Sequence, residues 1–424
     1  MTYSDKANTK EFLSKQAFRP ATPWNWLISV VQNLFRVDLF FNNRPQILER
    51  DILQIESLPP GSGVLLLSNH ADESDFKLCV EVSRRCKRRF YYMMNREAFD
   101  EVSGLAGWLF QRLGAFSVER GGDTAKSKGY AVDVVAGGRD VLVVFPEGEI
   151  YYLNDTVQHF KSGAIDIAMQ ALSQGRANDP DWSVYVVPMA IKYYYRHSIA
   201  DTLEKRVLVL EKKLSYIAKK QALKERIGSL LSEVLHRKEI ALKLAAGSER
   251  LSELSGRVKD VQQNLLHMLE DRYGRDHPAD GTAAIDRSWR LSSHLRQLVA
   301  DAKSRTSKAM NKLRSDLSEL KHIAEMDSWQ PNYIADDPSQ ERLAEMVLKL
   351  EREVCGVKRP LQVAPRSAFV RIAKPIDLKK YLPDYKLDPR KVRRDVTEEM
   401  HQTIQNLIDG LEKELHGVPS KQEG

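Results

Sequence analysis

Between residues 61 and 197, short apolar runs alternate with segments of helical periodicity. Residues 64–68, 90–94, 115–118, 141–145 and 184–191 are rich in Val, Leu, Ile, Phe and Tyr over the length of a strand. Residues 75–85 and 161–173, which fall between them, have the length and spacing of helices. The run Val141-Leu142-Val143-Val144-Phe145 is apolar at every position, as a strand covered on both faces requires. The alternation predicts an α/β fold, a mostly parallel sheet flanked by helices.

The pattern changes at residue 199. From there to about residue 355 the chain is dense in Leu, Lys, Glu, Arg, Ala and Ser, with almost no strand signal. Leu203, Val207, Leu210, Leu214 and Ile217 step by four and three. Leu251, Leu254, Val258, Val261, Leu265 and Met268 repeat that rhythm. A less regular run holds Leu291, Leu295, Leu298, Met310, Leu313, Leu317 and Leu320. This predicts an all-helical, coiled-coil-like block of two or more long helices. Breaks are expected at Gly247-Ser248 and over 274–281, where Pro278 sits. Each rhythm slips after about two heptads, which favours antiparallel packing within the chain over one long dimeric coil. Strand character returns over 368–378, and a helix is expected over 388–415, opened by Asp388-Pro389 and closed near Gly417.

Ahead of the first strand, Trp26, Val30, Leu34, Val37 and Phe41 keep helical spacing after Pro23. Asn25, Gln32, Asn33, Arg36 and Asp38 interrupt this segment, which therefore falls short of the roughly 18 apolar residues of a membrane span. It reads as a helix lying in a membrane interface or packed on the domain that follows, and the two are compatible. The resulting divisions are an amphipathic segment over 1–60, an α/β part over 61–198, a helical block over 199–366 and a closing part over 367–424.

Composition narrows the class without naming the chemistry. The 424 residues are 42% hydrophobic and 29% charged, with a net charge of +7, which fits a soluble or peripheral protein with a substantial core. Cys79, Cys86 and Cys355 are scattered and odd in number, so neither a disulfide framework nor a metal site is expected. A reducing, cytoplasmic location is the expectation, since the first twenty residues lack the apolar stretch of a secretory signal. Arg84-Arg85-Cys86-Lys87-Arg88-Arg89 reads as a solvated loop or as a contact for anionic head groups, acyl-carrier protein or coenzyme A phosphates. No nucleic-acid recognition module accompanies it.

The candidate chemistry begins where the first strand ends. Asn69-His70-Ala71-Asp72-Glu73-Ser74-Asp75 sets an imidazole and a carboxylate five residues apart at a strand-to-helix junction. Such a carboxylate can hold the ring in the tautomer that removes a hydroxyl proton. Alone, the pair reads equally well as a capped loop. Three blocks follow in order: Gly114-Ala115-Phe116-Ser117-Val118-Glu119-Arg120, Phe145-Pro146-Glu147-Gly148 and Val187-Pro188. Phe160-Lys161-Ser162-Gly163-Ala164 lies between the last two.

With these blocks, in this order, the chain resembles the glycerolipid acyltransferase superfamily, whose best-known members are the lysophosphatidate acyltransferases. The resemblance implies transfer of a fatty acyl group from acyl-coenzyme A or acyl-carrier protein to a lysophospholipid-like hydroxyl, as in phospholipid biosynthesis, with no cofactor beyond the acyl donor. It implies a peripheral enzyme on the inner face of the membrane, the helical block being an insertion before the closing strand at 368–378. His70 would be the general base and Asp75 its support, without an acyl-enzyme. Asn69, Arg120, Glu147, Gly148, Lys161 and Pro188 would contact substrate, with Arg120 and Lys161 gripping a phosphate and Pro188 ending a strand at the acyl pocket. The helical block would recruit a partner or hold a surface. One departure stands out: Glu149-Ile150 follows the glycine where many members have a small hydroxyl residue and an arginine. The added carboxylate points to a non-phosphorylated or aminolipid acceptor as an alternative. A scaffold with a vestigial acyltransferase domain is the reading from a different class.

Overall fold

The computed structural model describes residues 18–100, 104–216, 221–244, 253–277, 282–300, 307–335 and 337–416. The expected breaks at Gly247-Ser248, Pro278 and Gly281, the periodic positions Ile217 and Leu251, and the closing Gly417 lie outside them.

In chain order, α1 (Asn25–Asn42), β1 (Asn43–Ile47) and α2 (Glu49–Glu56) lead into β2 (Gly63–Ser68) and α3 (Asp75–Arg85). Then come β3 (Phe90–Asn95), α4 (Arg96–Asp100), α5 (Leu105–Arg112), β4 (Ala115–Val118), α6 (Ala125–Ala136), β5 (Val141–Val144), α7 (Gly163–Arg176) and β6 (Val184–Tyr195). The helical block holds α8 (Ala200–Lys213), α9 (Leu223–Leu242), α10 (Leu254–Arg272), α11 (Ala284–Ala300), α12 (Ser307–Met326) and α13 (Gln340–Cys355). The chain closes with β7 (Arg366–Ile372), β8 (Ile376–Asp377), α14 (Leu382–Leu387) and α15 (Pro389–His416).

The strands form one sheet in the order β1-β7-β6-β2-β5-β3-β4, with β8 also on β6. β7 and β8 run antiparallel to β6, and the remaining neighbours are parallel. This is the mostly parallel, helix-flanked sheet that the alternation predicts. The apolar runs explain the layers. Leu65 and Leu67 of β2 join Leu142 and Val144 of β5 in a core with α6, α7 and α15. Val64 and Leu66 join Val141 and Val143 in the opposite core with α1, α2 and α3. Side chains of period two on a strand buried on both faces require this division.

Pro188 departs from expectation. It lies inside the twelve-residue β6, opposite Leu67, and does not end the strand. Its carbonyl accepts the N–H of Ala373, so the edge lacking an N–H faces the stretch between β7 and β8. There the pairing slips by one residue, from Met189↔Ile372 to Val186↔Ile376. A bulge beside the proline removes the need for its donor.

The helical block gathers a core of its own that includes Leu203, Val207, Leu210, Leu214, Leu254, Val258, Val261 and Leu265. Met268, expected in the same stripe, is exposed, and Leu266 and Leu269 are buried instead. The drift of a 3.6-residue helix past a seven-residue rhythm rotates the stripe within two turns. Tyr151, Leu153 and Tyr195 of the α/β half belong to this same core, so the block is packed onto the sheet rather than tethered beside it.

A polar knot reinforces that seam. Asp155 receives Lys192 Nζ of β6 at 2.7 Å and Arg342 Nε of α13 at 2.5 Å, and Lys192 is 1% exposed. Glu412 of α15 also meets Lys192, at 2.6 Å. Asp155→Ala is expected to destabilise by on the order of 3 kcal/mol, because it leaves the buried Lys192 under-compensated. Arg394→Ala, at an exposed pair, should change stability by under about 0.5 kcal/mol. Urea unfolding of both variants checks the contrast, and equal midpoints would contradict it.

Candidate active site

The C-terminal end of β2 delivers the loop Asn69–Ser74, and α3 starts at Asp75. His70 Nδ1 lies 2.8 Å from Asp75 Oδ2. Asp75 has no exposed surface, and its other oxygen accepts the hydroxyl of Tyr193 at 2.5 Å. The backbone N–H of Asp72 adds a third donor, 2.9 Å from Oδ2. Burial raises the Asp75 carboxyl above its ordinary range, opposed by the bond from His70 and the Asp72 amide. The carboxylate partner places the imidazole proton on Nδ1 and leaves Nε2 as the basic atom. Phe145 stacks on the imidazole with ring centroids 4.0 Å apart, fixing its plane.

The remaining expected residues divide by role. Asn69 is buried, and both ends of its amide are engaged by the backbone of Ile191, at 2.9 and 2.8 Å. It ties the loop to β6, so the structure shows it as a support of the His70 loop. Glu147 is likewise buried; its carboxyl accepts the N–H of His70 at 2.8 Å and that of Gln158 at 3.3 Å. Burial pushes its pKa up to about 8, with the two N–H bonds opposing and Asp75 adding to the rise. Glu147 is thus a positioning residue for the His70 loop. Gly148 takes a left-handed φ of 75°, which glycine adopts without strain.

Arg120 and Lys161 converge on one indole, that of Trp289 in α11, at 4.9 and 5.5 Å from its ring centre. Neither cation is open to a phosphate in the manner expected. Arg120 Nη1 lies 2.6 Å from Glu149 Oε2 and 2.6 Å from the Gly148 carbonyl. Lys161 Nζ lies 2.7 and 2.9 Å from the carboxylate oxygens of Asp286, also in α11. Pro188 sits among the strands beneath the loop, as described above.

Several residues that contact the candidate site escaped sequence reasoning. Tyr193 had a signal: Val187, Met189, Ile191 and Tyr193 alternate onto one face of β6, under α3. Arg366, at the start of β7, bonds Asp72 Oδ2 at 2.9 Å. Burial would raise Asp72, but the Arg366 charge and the Ser74 amide hold it below the usual carboxylate range. Asp286 and Trp289 carried no signal, because nothing in a helical rhythm shows which loop a helix face meets.

Residues 50–192 match the acyltransferase family model. That stretch of the chain is an acyltransferase domain. The match ends within β6, so the helical block, β7 and α15 lie beyond it. No curated protein matches the chain.

The raised Glu147 gives a pH signature. A carboxyl whose folded pKa exceeds its unfolded value stabilises fully below the unfolded value, near 4.5, and the contribution is lost as pH rises through about 8. Relative to Glu147→Gln, the wild-type acyltransferase should lose stability by on the order of 1 kcal/mol per pH unit between pH 5.5 and 7.5. Urea midpoints of the two proteins at several pH values read this directly, and parallel curves would refute it.

Proposed function

We propose that this acyltransferase moves a fatty acyl group from a thioester, acyl-coenzyme A or acyl-carrier protein, to the hydroxyl of a lipid acceptor. The observation that carries the reading is the His70–Asp75 contact, with the carboxylate buried and held from a second side by Tyr193. His70 Nε2 takes the acceptor proton as the hydroxyl oxygen bonds to the thioester carbonyl carbon. The tetrahedral intermediate collapses with cleavage of the C–S bond, and the imidazolium returns its proton to the departing thiolate. Asp75 stabilises the imidazolium while it exists.

Direct transfer fits the state of the two buried cysteines. Cys79 lies buried behind Asp75, and burial with that neighbouring charge lifts its thiol well above the ordinary range. Burial likewise pushes the Cys86 thiol up to about 11. A thiol held protonated is a poor acyl carrier.

A membrane-surface location is supported by α1. Its inner side packs through Val31 and Leu39, while Trp24 beside it and Trp26, Val30, Leu34, Val37, Phe40 and Phe41 are exposed. Trp108 of α5 extends the patch, with its ring 5.7 Å from Trp24 and Arg112 beside both. An apolar stripe rimmed by tryptophan and arginine suits the interface of a bilayer, where a lipid acceptor is found. The basic run 84–89 contributes less than its sequence implies, since Glu81 pairs with both Arg84 and Arg85.

His70→Ala should lower thiol release from palmitoyl-coenzyme A with a lipid acceptor by about 10²–10⁴-fold. Asp75→Asn should lower kcat with KM little changed. Release indifferent to His70 would overturn the mechanism. For the surface, Trp26→Glu with Leu34→Glu should weaken cosedimentation with phosphatidylglycerol-containing vesicles by about tenfold or more. Unchanged cosedimentation would remove α1 from that role.

A further inference from the structure

Helix α11 of the block is built into the acceptor side of the active site. Three contacts seat it. Asp286 holds Lys161, Trp289 lies over Arg120 and Lys161, and Arg296 reaches Glu119 at 3.1 Å and also bonds Glu97. The opposing loop is shaped for this helix. A Cβ at Gly121, whose φ is 73°, would lie 2.4–2.5 Å from the backbone of Trp289 and Arg290. At Gly148 it would lie 3.0 Å from the Trp289 ring. A loop that admits a helix backbone at such distances has that helix as a wall, not as a displaceable cover.

The wall and the neighbouring Glu149 together change the charge of the site. Arg120 is neutralised by Glu149 and Lys161 by Asp286, so the two cations face two carboxylates at 2.6 and 2.7 Å. A phosphate dianion would have to displace both carboxylates and remain beside them. What remains is one N–H of the carboxylate-paired guanidinium and one of a neutral indole: Arg120 Nε and Trp289 Nε1 are both buried, with no acceptor among the described residues. Two N–H donors beside a broad indole face suit a hydroxyl or ester oxygen on an apolar molecule.

Building on the acyl-transfer reading above, we propose that the acceptor is an uncharged hydroxylated lipid of the monoacylglycerol class. Asp286 and Trp289 are its specificity determinants, supplied by the helical block. The family's cations are retained here as structural partners of carboxylates, and the site selects against phosphate.

The test uses the full chain with palmitoyl-coenzyme A and two acceptors of equal chain length, 1-oleoylglycerol and 1-oleoyl-lysophosphatidate, in the same mixed micelles. Wild type should favour the uncharged acceptor at least tenfold in kcat/KM. Asp286→Asn should shift the ratio toward lysophosphatidate about tenfold by releasing Lys161. Glu149→Gln, acting on the other cation, should shift it in the same direction independently. A wild-type preference for lysophosphatidate, or ratios unmoved in both variants, overturns the proposal while leaving His70-dependent transfer intact. Absence of His70-dependent transfer to either acceptor would instead fail the acyl-transfer reading. Calorimetric titration with a short-chain, monomeric lysophosphatidate then decides the charge question. Binding about tenfold tighter to Asp286→Asn than to wild type supports the inference, and equal binding overturns it.

Discussion

A carboxylate with no exposed surface is the constraint on which the catalytic half depends. An isolated buried Asp75 would cost several kcal/mol, so it persists as an anion only because donors surround it. They come from the loop after β2, through His70 and the Asp72 amide, and from β6, through Tyr193. For these to meet, β2 and β6 must be neighbours in one register, Leu67 beside Pro188 and Ser68 beside Met189. Asn69 extends that register by one rung, bonding both backbone groups of Ile191. The apolar alternation that buries β2 on both faces therefore also aims His70. A one-residue slip would exchange the two cores and remove Tyr193 from Asp75.

The same sheet explains how a long helical block is accommodated. β6 and β7 are antiparallel neighbours whose last and first residues, Tyr195 and Arg366, face each other. Arg196 and Pro365 continue the contact with a backbone hydrogen bond. Topologically the block is the connection of a β-hairpin, entering and leaving at one point on the sheet. The entropy of closing such a loop grows only with the logarithm of its length, and its own core offsets that cost. Returning at β7 also brings Arg366 to Asp72, so the stretch after the block completes the loop that carries His70.

β2 and β5 were legible because both are buried on both faces and read as unbroken apolar runs. β1, Asn43–Ile47, carries no such run and falls inside the segment 1–60 that reads as amphipathic, although it joins the sheet beside β7. The helical block was legible as a class through its three-four rhythm, but not in its exact stripe, as Met268 shows. Pro188 misled because proline in a central strand normally signals an end, and the bulge that excuses it lies in β7 and β8, far along the chain. At the site, the His70–Asp75 spacing was readable because both residues sit on one loop-helix junction. That Asn69 and Glu147 hold backbone groups of β6 and of the His70 loop was not readable, because residue type says nothing about which backbone groups need a partner.

The acceptor side shows why motif and specificity separate. A motif identifies a cation, but what the cation does depends on the charge beside it. Arg120 lies against Glu149, a carboxylate adjacent to the matching block, and this part of the electrostatics is local enough to read from sequence. Lys161 lies against Asp286, 125 residues away in a segment outside the matched family region. Two sites can thus share the base, its support and both cations, yet differ in net charge by the full sign of each paired carboxylate. The His70–Asp75–Tyr193 contacts are held by β2, α3 and β6, within reach of local sequence. On the acceptor reading proposed above, selection rests on how a separate helical core presents one face of α11 to Arg120 and Lys161, a contact that only the assembled fold determines.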